Sequence, residues 1–356
     1  MRITEPVAGT VACMSSRLGP AVGALVAALL LPACASAQTP PPPVDREPGT
    51  AAPRQASGTQ VLAISVDGLN TEAIRKLGRA GAPTFWRMMT EGARTLNART
   101  EYEQNVTLPN HTSMLTSRRI DRQKSGHGVT WDDDRPGTTV QRAAGHAVSS
   151  VFDVVQASDG GTALFSTKPK FALYERSWPQ AIDRFVVDED QGALVGAARK
   201  DLVSAGRDFT FLHVSLPDRY GHQYGGMTAK YLAAVRATDR QLGSVLKAVD
   251  ARPEFARRLT IILTADHGFA PGKKDHSAKV LSNYRIPFIV WGAQVEHGNL
   301  YRLNPDYRDP RDTRPGYQPA RQPVRNGDLG NLSLDLLGLS PVPGSELDVK
   351  QDLDVR

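Results

Sequence analysis

The sequence has few of the residues that form covalent cross-links or thiolate metal sites. It contains only two cysteines, Cys13 and Cys34, and both lie in an N-terminal segment that we expect to be removed. The rest of the chain then has no thiol for a disulfide or for a thiolate ligand. A metal site in it would have to be built from Asp, His and hydroxyl groups.

Long apolar runs are also scarce. The one clear run, residues 21–31, follows Arg2 and Arg17 and precedes the small residues Ala35-Ser-Ala37. This order is typical of a secretory signal, so residues 1–37 are predicted to be a signal peptide and the protein to be exported, either secreted or periplasmic. The run is too short to span a bilayer, and no later stretch is long and apolar enough to do so.

Lipid attachment is the alternative to cleavage after Ala37. Leu31-Pro-Ala-Cys34 has the spacing of a lipid-attachment box, although proline is unusual in one. Residues 38–58 are rich in Pro, Ala and Gly, which predicts an extended linker. Residues 59–356 are predicted to form one catalytic domain.

Clusters of basic charge are missing as well. The net charge of +6 is spread along the chain, and basic residues occur in short pairs such as Arg118-Arg119 and Arg257-Arg258. Nucleic-acid polymers are bound by concentrated basic surfaces, so we expect a small-molecule substrate instead. The sequence makes no prediction of the oligomeric state.

Strand-like and helix-like patterns alternate along the domain. This alternation predicts an α/β fold with a central, mostly parallel sheet flanked by helices. Residues 304–325, rich in Arg, Pro and Asp, are predicted to be a surface loop. The predicted strands are 60–66, 162–166, 209–216, 259–264 and 287–291, and the predicted helical stretches are 71–91, 148–156, 192–205, 228–249 and 331–339.

Possible metal ligands follow three of these strands. Asp67 follows the first, Asp218 and His222 follow the third, and Asp266 and His267 follow the fourth. Loops at the carboxyl ends of parallel strands converge on one crevice, so these side chains can share a site. Each Asp could instead cap the helix that follows it, but that alternative is weaker for three strand ends together.

Thr107 lies at the expected start of a helix, in Thr107-Leu-Pro-Asn-His111. A hydroxyl beside the free amides of a helix N-terminus is placed where an alkoxide or anion is stabilised. Near a zinc ion, such a hydroxyl loses its proton readily and can act as a nucleophile. The alternative is that Thr107 caps the helix and Pro109 is its first-turn proline.

These motifs, in this order, resemble the alkaline phosphatase superfamily in its type I phosphodiesterase/nucleotide pyrophosphatase branch. The resemblance extends from about residue 59 to 291, with a C-terminal extension to about 347. It implies an alkaline phosphatase-like fold and two zinc ions, although other divalent metals are possible. One ion would be held by Asp218, His222 and His276, and the other by Asp67, Thr107, Asp266 and His267.

Two features of the resemblance leave alternatives open. His276 lies nine residues after His267, and His297 is the competing candidate for the same ligand position. Relatives carry an asparagine that donates to a phosphoryl oxygen after a His-Gly-Val turn, whereas this chain has Asp132 and Asp133 there. Asp132 would repel a phosphate or lie in a solvated turn. Asn110 is the other candidate substrate-binding amide, although a structural role is also open to it.

The resemblance implies a hydrolase that attacks phosphoric esters through a phosphothreonine at Thr107. Phosphodiesters or nucleotide pyrophosphates are the expected substrates. The alternatives are a phosphomonoesterase or phosphonate hydrolase using the same site, and a zinc-bearing surface binding protein without turnover. A sulfatase is disfavoured because the chain lacks a Cys-x-Pro-x-Arg motif. His111, His127, His146 and His213 are expected to be hydrogen-bonded supporting residues.

Overall fold

The structure, a computed structural model, describes residues 58–356. The predicted signal peptide, with Cys34, and residues 38–57 of the predicted linker lie outside the described residues. Among the helices of the described part, none is both long and apolar enough to cross a membrane.

An eight-stranded sheet forms the centre of the fold. Its spatial order is β4-β3-β5-β1-β6-β7-β2-β8. The three central strands β5, β1 and β6 are buried along their whole length, as is typical of parallel strands covered on both faces. The strands are β1 (Gln60–Val66), β2 (Ala93–Arg99), β3 (Thr162–Ser166), β4 (Arg184–Val187), β5 (Phe209–Val214), β6 (Leu259–Thr264), β7 (Arg285–Gly292) and β8 (Gly298–Asn299).

The predicted mostly parallel sheet is confirmed, with one exception. β7 runs antiparallel to both β6 and β2, whereas the other neighbouring strands are parallel. The segment between β6 and β7 contains only a four-residue helix, Leu281–Tyr284. It cannot act as a helical crossover, so β7 returns from the edge at which β6 ends.

Thirteen α-helices occur in the described part of the chain. Short 3-10 turns lie at Arg122–Lys124, Pro169–Phe171 and Asn326–Asp328. The α-helices are α1 (Thr71–Gly81), α2 (Pro83–Glu91), α3 (Thr107–Thr116), α4 (Val140–Ala144), α5 (Val151–Ala157), α6 (Ala172–Ser177), α7 (Gln191–Ser204), α8 (Leu216–Tyr224), α9 (Ala229–Asp250), α10 (Pro253–Ala256), α11 (Leu281–Tyr284), α12 (Leu300–Leu303) and α13 (Leu329–Leu336).

Two predicted elements have different boundaries in the structure. The predicted helix 71–91 is two helices, separated at Ala82, because Gly78 has a positive φ of 62° and Pro83 begins the second helix. The predicted strand 209–216 ends at Val214, and Leu216 already belongs to α8. Pro217 has no amide to donate to a sheet, which favours this early change to helix.

The predicted surface loop 304–325 contains no strand or α-helix, as expected. It nevertheless covers a buried charge at the edge of the sheet. The side chain of Arg99, at the end of β2, is fully buried and donates to the carbonyl oxygens of Thr313 (2.9 Å) and Arg311 (2.6 Å). The loop therefore provides the hydrogen bonds that make burial of this guanidinium tolerable.

The carboxyl edge of the parallel strands brings several chain segments together. β1, β5, β6 and β3 all end there, because they are parallel neighbours in register. The segment between β6 and β7 begins and ends at the same edge, since these two strands are antiparallel. Side chains from these four segments of the chain can therefore meet at this edge.

Candidate active site

Asp67, Asp266 and His267 form a buried cluster, which we call the inner group. Asp67 directly follows β1, and Asp266 and His267 follow the adjacent strand β6. All three residues are fully buried. Asp266 Oδ1 accepts the backbone amides of Gly68 (3.0 Å) and His267 (2.9 Å), so the two strand ends are fixed to each other.

The inner group has the spacing of a tetrahedral metal site. His267 Nε2 lies 3.4 Å from Asp67 Oδ1 and 3.4 Å from Asp266 Oδ2. Ligand atoms at about 2.0–2.1 Å from a tetrahedral zinc are about 3.3–3.4 Å apart. Both distances from His267 Nε2 therefore match the ligand spacing that such an ion requires.

Asp218, His222 and His276 form a second cluster, the outer group. Asp218 and His222 lie four residues apart on α8, which places both side chains on one face of the helix. His222 Nε2 is 3.3 Å, and His276 Nε2 3.9 Å, from Asp218 Oδ1. His276 comes from the segment between β6 and β7, whereas His297 follows β7, whose end lies beside the start of β6. The structure therefore brings His276, and not His297, to the other two side chains.

The three histidines of the two groups are oriented in the same way. Each directs Nδ1 at a backbone carbonyl oxygen: His222 at Lys274 (2.9 Å), His267 at Gly268 (3.1 Å) and His276 at Asn105 (2.9 Å). A carbonyl oxygen only accepts, so Nδ1 carries the proton and Nε2 keeps its lone pair. This arrangement is typical of metal-binding histidines.

Unpaired buried atoms show that the two groups fit metal ions. Among the described residues, the buried side-chain atoms without a hydrogen-bond partner include Asp67 Oδ1, Asp218 Oδ1, Asp266 Oδ2 and His267 Nε2. Buried polar atoms are rarely left unpaired, because removing them from water is costly. All four atoms face their own group, so the residues present fit a divalent ion in each.

The pKa values describe a centre with excess negative charge. Burial, and repulsion from Asp67, raise the pKa of Asp266 well above its ordinary value. Burial opposes ionisation of Asp67 too, but the Lys168 ammonium and a hydrogen bond from His213 hold the pKa of Asp67 well below its ordinary value. Burial lowers the pKa of His276 to about 3, which keeps this imidazole neutral, as a metal ligand must be.

Thr107 is the first residue of α3 and is buried beside the two groups. Val106 occupies the N-cap position, and no side-chain capping bond is made there, so the structure does not use the Thr107 hydroxyl as a cap. Thr107 Oγ1 lies 3.4 Å from Lys168 Nζ. The positive end of the helix dipole and this ammonium both favour negative charge on the hydroxyl oxygen.

Two buried histidines form hydrogen bonds that hold Thr107 and Asp67 in place. His111 on α3 directs Nδ1 at the Thr107 carbonyl oxygen (2.8 Å) and Nε2 at Ser65 Oγ on β1 (2.8 Å), which ties the two elements together. His213 on β5 directs Nε2 at Asp67 Oδ2 (2.9 Å). The structure thus gives both histidines the supporting position expected from the sequence.

Asn110 is fully buried, and its amide group is occupied by the protein. Its Nδ2 donates to the carbonyl oxygens of Gln104 (2.9 Å) and Val106 (2.9 Å). Its Oδ1 accepts from Thr100 Oγ1, the Glu101 amide and Asn326 Nδ2. Contact between Asn110 and a substrate stays a prediction, and these bonds support the structural alternative.

Asp132 is neither an isolated carboxylate nor a free surface residue. Its Oδ1 accepts the backbone amide of Leu108 (2.9 Å) in the first turn of α3 and is 2.8 Å from Lys170 Nζ. The side chain is 39% exposed. Asp132 therefore lies next to Thr107 with its charge paired, and its contact with a substrate stays a prediction.

Lys168 is a central residue that the sequence did not single out. Its Nζ lies 2.6 Å from Asp67 Oδ2 and 2.7 Å from Asp218 Oδ2, so it contacts one carboxylate of each group. Burial opposes its charge, but the carboxylates of Asp67, Asp218 and Asp266 raise the pKa of Lys168 above its ordinary value. The missed signal was its position two residues after β3, at the same carboxyl edge as the other site residues.

A segment of the sequence is similar to curated phosphodiesterases. Over 94 residues, 36% are identical to venom phosphodiesterase 2 of Crotalus adamanteus, a match that covers 26% of this chain and 11% of the relative. Venom phosphodiesterase CdcPDE of Crotalus durissus collilineatus matches to the same extent. The chain thus spans about a ninth of the length of these curated relatives.

Solved structures share the fold. Murine ectonucleotide pyrophosphatase/phosphodiesterase 5, an inactive variant in complex with AMP, superposes with a TM-score of 0.59 at 13% identity, covering 80% of this chain and 96% of that one. The human form gives 0.58 at 13% identity, covering 83% and 99%. The family model for type I phosphodiesterase / nucleotide pyrophosphatase matches residues 61–328, which is most of the chain. The chain therefore belongs to the type I phosphodiesterase/nucleotide pyrophosphatase family, a family of hydrolases.

Proposed function

We propose that this protein is an exported, two-zinc phosphoric ester hydrolase that cleaves phosphodiesters or nucleotide pyrophosphates through a phosphothreonine at Thr107. One observation carries the proposal. The Lys168 ammonium contacts a carboxylate of each ligand group and lies 3.4 Å from Thr107 Oγ1, so the hydroxyl and both groups share one centre. Export and a separate N-terminal linker rest on the sequence alone.

Each of the two ligand groups is proposed to hold one zinc ion. Zinc ions in them would supply the positive charge that makes a hydroxyl acidic and stabilises the entering and leaving oxygens of an in-line displacement. Asp67, Asp266 and His267, with the Thr107 oxygen, are proposed to hold one ion. Asp218, His222 and His276 are proposed to hold the other.

Thr107 is proposed to carry the covalent step. Its Oγ1 forms a bond to phosphorus while the bond between phosphorus and the leaving oxygen breaks, and water then displaces Thr107 from the same phosphorus. The contact between His111 and the Thr107 carbonyl holds the start of α3 against β1 during both displacements. Fixing a nucleophile in this way lowers the entropic part of the barrier.

The preference for diesters or pyrophosphates rests on family membership. The curated venom relatives are named phosphodiesterases, and the murine structural relative was solved with AMP. The shared segment covers a small part of the venom proteins, and the structural relatives show the fold alone. The proposed substrate class therefore rests on family membership, and the proposed nucleophilic step rests on the position of Thr107.

The test is to trap the intermediate. Acid quenching during turnover of a labelled diester is expected to leave the labelled phosphoryl group, still carrying the ester substituent that did not depart, on the peptide that contains Thr107, since phosphate esters of threonine survive acid. Thr107→Ala is expected to abolish turnover, because the alternative of direct attack by water lacks the positioned nucleophile. Thr107→Ser is expected to retain part of the activity.

Thr112→Ala is the matched control. Thr112 is buried on the same helix, and its hydroxyl donates to the Leu108 carbonyl oxygen (2.8 Å) within that helix. Its loss is expected to lower stability by about 1 kcal/mol and to leave turnover in place. Near-normal turnover in Thr107→Ala, or label on another peptide, would contradict the proposal. A metal-loaded protein that cleaves neither diesters nor monoesters would be the binding protein without turnover.

A further inference from the structure

A cavity of about 690 Å³ is formed largely by residues of the loop 304–325. Its lining contains none of the six side chains of the inner and outer groups. The volume is typical of sites that bind small molecules. The cavity is therefore a candidate for a second binding site, and its lining determines which ligand it fits.

The backbone at Arg311, in the lining of this cavity, is held in a conformation that few residues adopt. Arg311 has a positive φ of 49°. Its carbonyl oxygen accepts from Arg99 (2.6 Å) and Asn97 (3.1 Å), and its amide donates to Asp309 Oδ1 (2.9 Å). Such conformations persist where the surrounding structure enforces them, and they are concentrated at binding sites. A fixed backbone thus carries Arg311.

Two guanidinium groups of the lining have no partner in the part of the chain that the structure describes. Arg308 and Arg311 are exposed, and neither side chain makes a hydrogen bond or an ion pair there. A third arginine, Arg321, donates to backbone carbonyl oxygens of residues 305–307, which carry no charge. Asp309 is the one acidic residue among those that line the cavity. The lining therefore has an excess of two positive charges.

Arg99 adds positive charge behind this lining. Its guanidinium is fully buried, and its hydrogen bonds go to carbonyl and amide oxygens rather than to a carboxylate. Burial lowers the pKa of Arg99 to about 10, so the side chain is still charged near neutral pH. A ligand that brings two negative charges would balance the lining. A phosphate monoester carries close to two near neutral pH.

Flat or apolar side chains form another part of the lining. Tyr301 and Tyr307 both line the cavity, and their hydroxyls are already used: that of Tyr301 donates to the Asn97 carbonyl oxygen (3.0 Å) and that of Tyr307 to Asp348 Oδ1 (2.8 Å). These residues therefore offer ring surface, which favours contact with a planar ring. Four prolines add apolar surface, namely Pro310, Pro315, Pro319 and Pro323.

We propose that this cavity binds a phosphate monoester dianion attached to a planar ring, a class that includes nucleoside monophosphates. The guanidinium groups of Arg308 and Arg311 donate to the phosphate oxygens, since their planar fork matches phosphate geometry. The ring lies against the tyrosines and prolines. The site does not depend on Thr107 being a nucleophile, although the proposed cleavage of nucleotide pyrophosphates would release ligands of this class.

The test counts binding sites by equilibrium dialysis of the metal-loaded full chain. The probe is the phosphonate analogue of AMP in which a methylene group replaces the 5′ ester oxygen, so that it has no phosphoester bond to cleave. It is used at mildly alkaline pH, where it is a dianion. Arg308→Gln combined with Arg311→Asn is expected to bind one probe molecule fewer per chain. Affinity at the lost site is expected to fall at least about tenfold for each guanidinium removed.

The double variant is expected to fold normally. Both side chains are exposed, and asparagine tolerates a positive φ at position 311. Its kcat/KM for a diester is expected to be unchanged, because the cavity contains no residue of either ligand group. Arg302→Gln is the matched control, since Arg302 is exposed on α12 and does not line the cavity. It is expected to leave the number of sites unchanged.

Two partial probes separate the contributions of charge and ring. Methylphosphonate lacks the ring and adenosine lacks the phosphonate, and each is expected to bind in the cavity at least about tenfold more weakly than the full analogue. An unchanged number of sites in the double variant, the same loss in Arg302→Gln, or equally tight binding of methylphosphonate would overturn the inference.

Loss of diester turnover in the double variant would also contradict the inference, because it would show that these arginines act at the centre that contains Thr107. Failure of the proposed function is distinguishable. It would appear as turnover that persists in Thr107→Ala, and it would leave the count of probe sites in the double variant one lower than in the wild-type protein.

Discussion

The inner and outer ligand groups differ in how the fold holds them. The inner residues follow adjacent parallel strands and are fully buried, and Asp266 accepts two backbone amides. The outer residues come from a helix and from the segment between β6 and β7, and the His222 side chain is 49% exposed. A sheet edge fixes all of its ligands as part of the core, whereas the outer group has one ligand, His222, that is open to solvent.

The hydrogen-bond partners of the ligand side chains also lie in more rigid parts of the fold for the inner group than for the outer group. Asp67 in the inner group accepts from His213, a residue in the middle of the sheet. The outer histidines direct Nδ1 at the carbonyl oxygens of Lys274 and Asn105, which belong to connecting segments. We therefore expect the outer ion to exchange with solvent and the inner ion to be retained.

Metal removal is the strongest test of this difference. Chelation is expected to abolish activity, and Zn²⁺ to restore it, with about two ions per chain in the active protein because the ligands exceed those of one tetrahedral ion. The outer ion is expected to leave at least about tenfold faster than the inner ion. Elemental analysis and activity, sampled together during chelation, measure both steps.

The inner ion alone is expected to be insufficient for turnover, so activity should follow the first ion lost. Simultaneous loss of both ions would show that the two groups behave as one unit. Active protein with a single ion per chain would contradict the proposal of two ions.

His276→Ala is expected to have the next largest effect. Removing an outer ligand is expected to release the outer ion and to lower activity more than about 100-fold, since even partners behind a ligand are worth about 10–100-fold. His297→Ala is the control and is expected to be nearly silent, because His297 follows β7 at the opposite edge. Zinc content and kcat/KM, measured for both variants, show which histidine is the ligand. Loss of zinc in His297→Ala alone would assign the ligand position to His297.

The sequence predicted the central strands because each is a short, almost wholly apolar run, and parallel strands are buried on both faces. It did not predict β2, which mixes buried with partly exposed residues and lies near one end of the sheet. The sequence also did not predict whether β7 runs parallel or antiparallel to its neighbours, since an apolar run has the same pattern in both orientations. Only the lack of a helical crossover sets that direction.

The candidate ligands could be placed because strand ends are visible in a sequence. Lys168 follows the predicted strand 162–166 in the same way, but a lysine is usually a solvent-exposed residue, so composition gave no reason to select it. Its contacts with Asp67 and Asp218 arise from side chains far apart in sequence. The pairing of Asp132 with Lys170 and the Leu108 amide likewise depends on tertiary structure.

Gly68 sets the distance between the two groups. A Cβ on Gly68 would lie 2.9 Å from the Cα atom of Asp218, and the residue has a φ of +71°. Gly68→Ala is expected to push α8 away from β1 and to lower kcat/KM by about 10–100-fold, since small misplacements of reacting groups are costly. Measuring metal content as well separates displacement of the outer ion from its loss.

Gly78→Ala is the matched control for backbone strain. Gly78 has a φ of +62°, and a Cβ there would have no neighbour within 4 Å. Both variants are expected to lose about 1–3 kcal/mol of stability from the unfavourable backbone conformation. Only Gly68→Ala should lose activity beyond that. Equal activity in the two variants would show that the spacing of the groups tolerates displacement of α8.

Asp132→Asn is expected to have the smallest effect and tests the entrance beside Thr107. Asparagine keeps an oxygen that can accept the Leu108 amide but removes the negative charge next to the reacting phosphate, and it frees the Lys170 ammonium. We expect kcat/KM to rise by up to about tenfold, which corresponds to about 1.4 kcal/mol of transition-state stabilisation. Stability should fall by no more than about 1 kcal/mol, because the ion pair is partly exposed.

Asp133→Asn provides the comparison for Asp132. Asp133 pairs with Arg135 at 3.0 Å on a side chain that is 65% exposed, so its neutralisation is expected to leave kcat/KM unchanged. A rise in Asp132→Asn alone would show that this carboxylate opposes the phosphate despite its pairing with Lys170. Unchanged kinetics in both would mean that Lys170 already cancels its charge. A clear fall in Asp132→Asn would show that the negative charge itself is needed, either to hold Lys170 in place or to bind a cationic part of the substrate.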